Sequence, residues 1–270
     1  MLYPLYIKQK ASSWTLFAFI TLLLFTSPLF ADNCAVTQFH ETAKVDYVYD
    51  GDTIRLLDGR KLRLIGINTP ERGLDGNKDE PFYQTAKNQL QQIIKDNNNQ
   101  VKIVFGKEKH DRYKRFLAHI FTMKNENITA NLIRNGMGFT IAIPPNIQLL
   151  NCYQKAEHKA QKLKRGIWNH TYSRVIDVAA LNKTVRGFHQ VSGTVDRIGE
   201  SRSSFWLNLN SKEGAKFALR ILKKELPYFK YHPKNLLHHQ LIARGWIYEV
   251  KGEQRMTIHH PASLHVQNTD

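Results

Sequence analysis

The chain has 270 residues, of which 39 are lysine or arginine and 23 are aspartate or glutamate, so its formal net charge at pH 7 is +16. This excess favours binding to polyanions, although by itself it does not separate nucleic acid from an anionic membrane surface. Only two cysteines are present, and a cysteine-rich zinc site is therefore excluded.

The first 31 residues have the organisation of a secretory signal. Lys8 and Lys10 precede an apolar run over residues 14–25, and the small residue Ala31 ends the segment. This pattern predicts cleavage after Ala31. The alternative is an uncleaved anchor, for which the apolar run is short, because a spanning helix needs about 20 residues. We therefore expect a secreted or periplasmic protein with no stable membrane association after cleavage.

The two cysteines are far apart in the sequence. Cys34 follows the expected cleavage point, and Cys152 lies in a helical stretch. Because an exported protein meets an oxidising compartment, we expect a disulfide between them. The alternative is two unrelated thiols.

Apolar and polar residues alternate over residues 45–49, 54–57 and 62–67, with Asp-Gly pairs between the three segments. The pattern predicts a three-stranded antiparallel meander with tight turns. Asp52 follows the first turn, and Asn68 and Thr69 end the third strand. Neighbouring strand ends can bring these oxygen atoms together, and Ca²⁺ prefers such ligands.

Two further residues of this stretch suit phosphodiester chemistry. The planar guanidinium of Arg63 can bind a phosphate through two hydrogen bonds. Glu71 follows Pro70, whose fixed φ stiffens the chain and holds the carboxylate where it can act on water.

A helix is predicted to open at Pro81, followed by a strand over residues 101–105 and a basic loop over residues 107–115. A strand over residues 116–121 and helices over residues 129–135 and 148–165 complete the first part of the chain. Strands that close on one another with helices at the edges describe an OB-type five-stranded barrel, in a chain that is mainly β with α (α+β).

Three pieces of sequence together resemble the thermonuclease family of staphylococcal nuclease-like domains: Asp-Gly-Asp-Thr at residues 50–53, the segment from Arg63 to Glu71, and the segment from Asp111 to Arg115. Asp-Gly-Asp-Thr alone is more often a hairpin turn. The resemblance covers residues 43–168 and implies a role for each matching residue. Arg63 and Arg115 would hold the scissile phosphate, Glu71 would act on the attacking water, Asp52, Asn68 and the Thr69 carbonyl would bind Ca²⁺ with Asp50 in support, and Arg112, Tyr113 and Lys114 would contact substrate.

The chain departs from the family pattern at two positions. Asn68 stands where the family usually has aspartate, so one negative charge is missing from the expected metal site, and Ca²⁺ affinity falls with ligand charge. Lys114 stands where glycine is usual, so a residue tolerant of positive φ is replaced by a cation.

Residues 32–168 are therefore expected to form the catalytic domain, residues 169–188 a linker, and residues 189–270 a second, smaller OB-like barrel. Six strand-like segments and a helical insert over residues 223–234 support the second barrel. Paired histidines at residues 238–239 and 259–260 are a weak metal-site candidate, because adjacent strand residues point to opposite faces. Aromatic residues among lysines and arginines can stack bases, although more than half are expected in the core: Phe205, Trp206, Tyr228, Phe229, Trp246 and Tyr248.

These observations predict a monomeric, Ca²⁺-dependent endonuclease that hydrolyses DNA, with RNA as a second candidate substrate. The alternative is a catalytically silent nucleic-acid-binding protein with the same barrel. The presence of Arg63, Glu71 and Arg115 together favours the enzyme, because a pure binder needs no carboxylate beside phosphate. We expect the second barrel to raise affinity for long substrates by tethering them. The alternative is that it only covers an apolar face of the first barrel.

Overall fold

The computed structural model describes residues 34–73 and 76–267, so the expected signal over residues 1–31 lies outside the described residues. Within those two ranges, no helix is long and apolar enough to cross a membrane.

The first part of the chain forms a closed five-stranded barrel in the order β1-β2-β3-β6-β5. All neighbouring strands are antiparallel except β3 and β6, which are parallel. The predicted meander is confirmed as β1, β2 and β3. The barrel strands are β1 (Glu41–Val48), β2 (Thr53–Leu56), β3 (Lys61–Leu64), β5 (Gln100–His110) and β6 (Phe116–Phe121).

The prediction of one strand over residues 62–67 is wrong, because the chain turns at Gly66. This glycine has a φ of +89°, and a Cβ atom there would lie 2.3 Å from the Tyr153 ring. After the turn, β4 (Ile67–Asn68) pairs with β7 (Phe139–Thr140) in a separate two-stranded sheet. The break directs Asn68 and the residues that follow it away from the barrel wall.

Three helices pack on the barrel: α1 (Tyr83–Asp96), α2 (Ile128–Arg134) and α3 (Leu150–Lys162). The helix expected to open at Pro81 begins two residues later. Apolar residues of α1 recur on one face and are fully or nearly fully buried against the barrel, namely Ala86, Leu90 and Ile94. Strand β5 is longer than the predicted strand over residues 101–105, so the basic loop is confined to residues 111–115.

The second part of the chain forms another closed five-stranded barrel, in the order β9-β10-β11-β13-β12. Its strand order repeats that of the first barrel, and its third and fifth strands are again the parallel pair. The prediction of two barrels is therefore confirmed. The five barrel strands are β9 (Gly187–Glu200), β10 (Ser204–Leu209), β11 (Phe217–Leu222), β12 (Gln240–Val250) and β13 (Glu253–Thr257). Two further strands lie outside this ring, β8 (Val175–Asp177) and β14 (Leu264–Gln267).

Two segments differ from their sequence interpretation. The expected linker over residues 169–188 contains β8, which pairs in parallel with β9 and adds a strand beside the second barrel. The helical insert over residues 223–234 is built from two 3-10 segments, Lys223–Tyr228 and Pro233–Leu236. Of the six aromatic side chains considered for base stacking in the second barrel, Phe205 is buried and Phe229 is partly buried against the core, whereas Trp246 is 38% exposed. The expectation that more than half of them lie in the core is therefore wrong.

The two barrels meet at a buried aromatic contact and a buried ion pair. Phe139 and Phe188 have ring centroids 5.1 Å apart and are almost completely shielded from solvent. On α3, the Glu157 carboxylate accepts a hydrogen bond from the Thr140 backbone N–H at 2.7 Å and pairs with Arg244 of β12 at 2.8 Å. A buried interface between the barrels agrees with the alternative in which the second barrel covers an apolar face of the first.

Cys34 and Cys152 form the expected disulfide, which ties the start of the described chain to α3 across a sequence separation of 118 residues.

Replacing both cysteines with serine should lower the free energy of unfolding by about 4 kcal/mol, because the unfolded chain regains the entropy of a long loop. Denaturant titration of both proteins measures the difference. Thiol titration of unreduced, denatured protein should find no free thiol, and two free thiols would contradict the bridge.

A buried polar network connects β6 with α3 and with Asn127, the residue that precedes α2. Asn127 Nδ2 donates to the Tyr153 hydroxyl at 3.2 Å, and that hydroxyl lies 2.7 Å from Nδ1 of His119. His119 is only 3% exposed, and burial lowers its pKa to about 4, compared with 6.5 for a free side chain. The folded protein therefore holds this imidazole neutral at pH values where the unfolded chain protonates it.

This difference makes stability depend on pH. Because the unfolded state binds more protons between pH 6.5 and pH 4, the free energy of unfolding should fall as the pH drops through that window. Between pH 7.5 and pH 5, wild type should lose about 2 kcal/mol more than His119→Gln, which cannot titrate. Urea denaturation at both pH values measures the loss. The exposed His158→Gln is the control, and an equal loss in wild type and His119→Gln would refute the explanation.

Candidate active site

Three segments of the first barrel converge on one site. They are the loop over residues 49–52 between β1 and β2, the chain over residues 65–71 that leaves β3, and the loop over residues 111–115 between β5 and β6. In five-stranded barrels of this type, the loops after the first and fourth strands are the usual binding elements. The expected polar residues are therefore carried on loops held by a rigid barrel.

Asp52 lies at the centre of the site and is only 1% exposed. Its Oδ2 accepts hydrogen bonds from the backbone N–H and the hydroxyl of Thr69, both at 2.9 Å, and pairs with Arg63 at 3.0 Å. Its Oδ1 accepts from the Thr53 hydroxyl at 3.1 Å. These contacts join two of the three segments through one buried carboxylate.

Gly51 allows the first loop to approach the rest of the site. A Cβ atom at this position would lie 2.7 Å from Cβ of Ala86 on α1 and 2.8 Å from Cγ2 of Thr69. Any larger residue would push the loop away from α1 and move Asp52 from Thr69. The glycine of Asp-Gly-Asp is thus required by close packing at this position.

Arg63 is held in place by backbone carbonyl groups. Its Nη1 donates to the carbonyl oxygens of Leu64 and Ile67 at 2.9 and 2.8 Å, and its Nη2 donates to Asn68 Oδ1 at 3.3 Å in addition to Asp52. The turn at Gly66 brings the Ile67 carbonyl to this position. The guanidinium is consequently oriented before any substrate binds, which lowers the entropic cost of binding a phosphate.

Arg115 reaches the site from the third segment. Its Nε and Nη2 both contact Asp111 Oδ2 at 2.7 Å, and its Nη1 lies 3.4 Å from the Thr53 hydroxyl. Lys114 adopts a φ of +63°, so the backbone keeps the conformation for which glycine is the usual residue. The expected substrate contacts Arg112, Tyr113 and Lys114 are exposed on this same loop.

Two acidic groups beside Asp52 have raised pKa values. Burial, followed by the Asp52 charge, raises the pKa of Asp50 to about 7. The same two causes raise the pKa of Glu71 to about 7, although Glu71 as a residue is exposed at the surface, while the charges of Arg63 and Arg115 lower it. Asp52, Arg63 and Arg115 therefore all lie close enough to Glu71 to influence its charge.

The sequence interpretation missed two residues that support Glu71. Glu80 Oε2 accepts a hydrogen bond from the Glu71 backbone N–H at 2.8 Å and another from the Tyr172 hydroxyl at 2.7 Å. Tyr172 comes from the segment expected to be a linker, and burial raises the pKa of its hydroxyl. No local signal in the sequence connects Glu80 or Tyr172 with Glu71, because these contacts form only when separate segments pack together.

The donor atoms suit a hard cation. Asp50, Asp52 and the Thr69 carbonyl offer oxygen atoms only, and oxygen is the donor that Ca²⁺ prefers. Asn68 is the weakest of the expected metal ligands, because its Oδ1 already accepts a hydrogen bond from Arg63 and its Nδ2 is buried with no partner among the described residues. Over the same residues, no group of three His, Cys, Asp or Glu side chains is arranged as a metal site, which includes the paired histidines.

Comparison with known proteins identifies the family. The model of the family described as "Staphylococcal nuclease homologue" matches residues 61–170. The thermonuclease of Staphylococcus hyicus is 32% identical over 133 residues, which cover 48% of this chain and 77% of that protein. The chain belongs to the staphylococcal nuclease homologue family. The thermonuclease of Staphylococcus intermedius is 30% identical over 131 residues, covering 47% of this chain and 76% of the relative.

Membership of this family makes the protein a hydrolase of the thermonuclease and endonuclease type. A further relative, endonuclease YhcR of Bacillus subtilis, is 30% identical over 136 residues, which cover 46% of this chain and 11% of that protein. The segment matched by the family model contains Arg63, Asn68, Glu71 and Arg115 and ends before the second barrel. The nuclease homology and the converging side chains therefore coincide on the first barrel.

Proposed function

We propose that this protein is an exported, Ca²⁺-dependent endonuclease that hydrolyses phosphodiester bonds of DNA, with RNA as a second substrate. The observation that carries the proposal is the convergence of Arg63, Arg115 and Glu71 beside the buried Asp52. Two cations and one carboxylate at a site of nuclease homology are the groups that phosphodiester hydrolysis needs. Export rests on the N-terminal sequence and on the Cys34–Cys152 disulfide, which suits an oxidising compartment.

Each side chain has a role that follows from its chemistry. Arg63 and Arg115 bind the phosphate and balance the negative charge that builds up on its oxygens as water attacks phosphorus. Glu71 accepts the proton of that water, the new P–O bond forms, and the bond to the leaving oxygen breaks as that oxygen takes up a proton.

Ca²⁺ would be held by Asp52, the Thr69 carbonyl and the amide oxygen of Asn68, with Asp50 in support. Bound there, the ion supplies positive charge that polarises the phosphate. The oxygen-only donor set supports this assignment.

The role of Glu71 is tested by Glu71→Gln. Turnover of a single-stranded oligonucleotide should fall by a factor of about 10² to 10⁴, because a general base contributes on that order. Affinity for the same strand should change little, because the arginines remain. Steady-state cleavage and fluorescence anisotropy measure the two quantities, with the exposed Glu126→Gln as the matched control.

Full turnover in Glu71→Gln would show that Glu71 takes no part in the reaction. If wild type binds the strand but does not cut it at any Ca²⁺ concentration, the silent nucleic-acid-binding alternative holds.

The role of Asn68 is tested by Asn68→Asp. The added carboxylate raises ligand charge and removes the unpartnered Nδ2 donor, so the Ca²⁺ concentration at half-maximal activity should fall by roughly tenfold. Titration of cleavage rate against Ca²⁺ measures this midpoint. Asn88→Asp, on the exposed side of α1, adds the same charge elsewhere and should leave the midpoint unchanged. An unchanged or higher midpoint for Asn68→Asp would show that Asn68 does not contribute to the metal site.

A further inference from the structure

A cleft with a volume of about 790 Å³ lies between the two barrels and opens onto the candidate active site. Arg63 and Arg115 line one wall together with Tyr113, and Trp246, Tyr248 and His259 of the second barrel line the other. The roles proposed above use only the first of these walls. The second wall has no counterpart in the segment matched by the family model, which ends at residue 170.

The alternation of β12 directs two aromatic rings into this cleft. Ile247 is buried in the core of the second barrel, whereas its neighbours Trp246 and Tyr248 lie on the opposite face of the strand. Trp246 remains 38% exposed although its ring packs edge-to-face with Phe188 at 5.0 Å. The Tyr248 hydroxyl is paired with that of Thr257 at 3.1 Å. Both rings are thus fixed in place, Trp246 exposed and Tyr248 partly buried.

The opposite wall supplies positive charge. Tyr113 is 63% exposed, and the guanidinium groups of Arg112 and Arg115 lie 4.7 and 5.4 Å from its ring centroid. Arg115 also reaches the Thr53 hydroxyl inside the active site. A ligand in the cleft would therefore meet aromatic surface on one side and phosphate-binding cations on the other.

The separation of the two walls is set by buried contacts. Arg244 lies on the same face of β12, two residues before Trp246, and forms the buried ion pair with Glu157 of α3. Phe188, which contacts Trp246, packs on Phe139 of the first barrel. Trp246 is consequently positioned relative to Arg63 and Arg115 by the interface between the barrels.

We propose that Trp246 and Tyr248 form a base-stacking subsite for single-stranded nucleic acid in the same cleft as Arg63 and Arg115. Stacking on aromatic rings beside cations is the usual recognition of single strands. In a duplex, base faces are already stacked, and a space of this volume accepts a few nucleotides. The substrate class rests on the proposed function, but the subsite itself is measurable as binding without turnover.

The test uses the full chain with chelator present and compares affinities for a single-stranded oligothymidylate and for an abasic strand of equal length. Trp246→Ala should weaken binding of the oligothymidylate by about tenfold, the usual effect of losing one stacked base. It should leave the affinity for the abasic strand unchanged, because that strand has phosphates and no bases. Trp246→Phe should retain most of the affinity. Fluorescence anisotropy measures the affinity of each of the three proteins for both strands, with thermal denaturation as the check of folding.

Trp206→Ala is the matched control. Trp206 belongs to the same barrel but packs between the guanidinium groups of Arg220 and Arg255, at 5.3 and 4.8 Å, and does not line the cleft. Its removal should leave both affinities unchanged. The proposal is overturned if wild type does not bind the oligothymidylate, if Trp246→Ala binds it as wild type does, or if both strands lose affinity equally.

The outcome separates this proposal from that of the preceding subsection. Binding that depends on Trp246 without any cleavage in Ca²⁺ would refute the nuclease proposal and leave the subsite standing. Cleavage of single strands that does not depend on Trp246 would refute the subsite and leave the nuclease standing.

Discussion

The buried carboxylate of Asp52 is the interaction on which the candidate active site depends. It receives hydrogen bonds from Thr53 and Thr69 and pairs with Arg63, so it holds the loop after β1 against the chain that leaves β3. Removing one partner of a buried ion pair costs roughly 3–5 kcal/mol, because the remaining charge is left without compensation. The contacts that stabilise the site also orient Arg63. Thr53, which donates to Asp52, in turn accepts a hydrogen bond from Arg115. Structural and chemical requirements therefore meet in one residue.

A second buried carboxylate, Glu157, connects this site with the rest of the molecule. It accepts from Thr140 of the first barrel and pairs with Arg244 of the second. Close by, Phe139 and Phe188 exclude water from the interface. A chain that ended near residue 170 would remove Arg244 and expose Phe139. The second barrel thus acts as a structural partner of the first, and this attachment brings its outer face close to the catalytic loops.

The two barrels share a strand order but carry the residues that face the cleft on different elements. In the first barrel, the loops between strands carry the acids and arginines. In the second, it is the outer face of β12 that faces the cleft, with Arg244, Trp246 and Tyr248 at alternate positions. One barrel presents charge and the other presents aromatic surface, and a polyanion with stackable bases is complementary to both. The strong positive charge of the chain suits the same class of ligand.

Local patterns in the sequence were sufficient for much of this description. Alternating residues and Asp-Gly turns identified the meander, and the spacing of Asp52, Arg63, Glu71 and Arg115 indicated the nuclease family, because strand periodicity and turn chemistry are properties of short segments. Other features depended on packing. The turn at Gly66 follows from the Tyr153 ring, and the support of Glu71 by Tyr172 and the pairing of Arg244 with Glu157 join residues more than eighty positions apart. No period or motif encodes such contacts, since they form only when separate elements pack together, and the cleft between the barrels exists for the same reason.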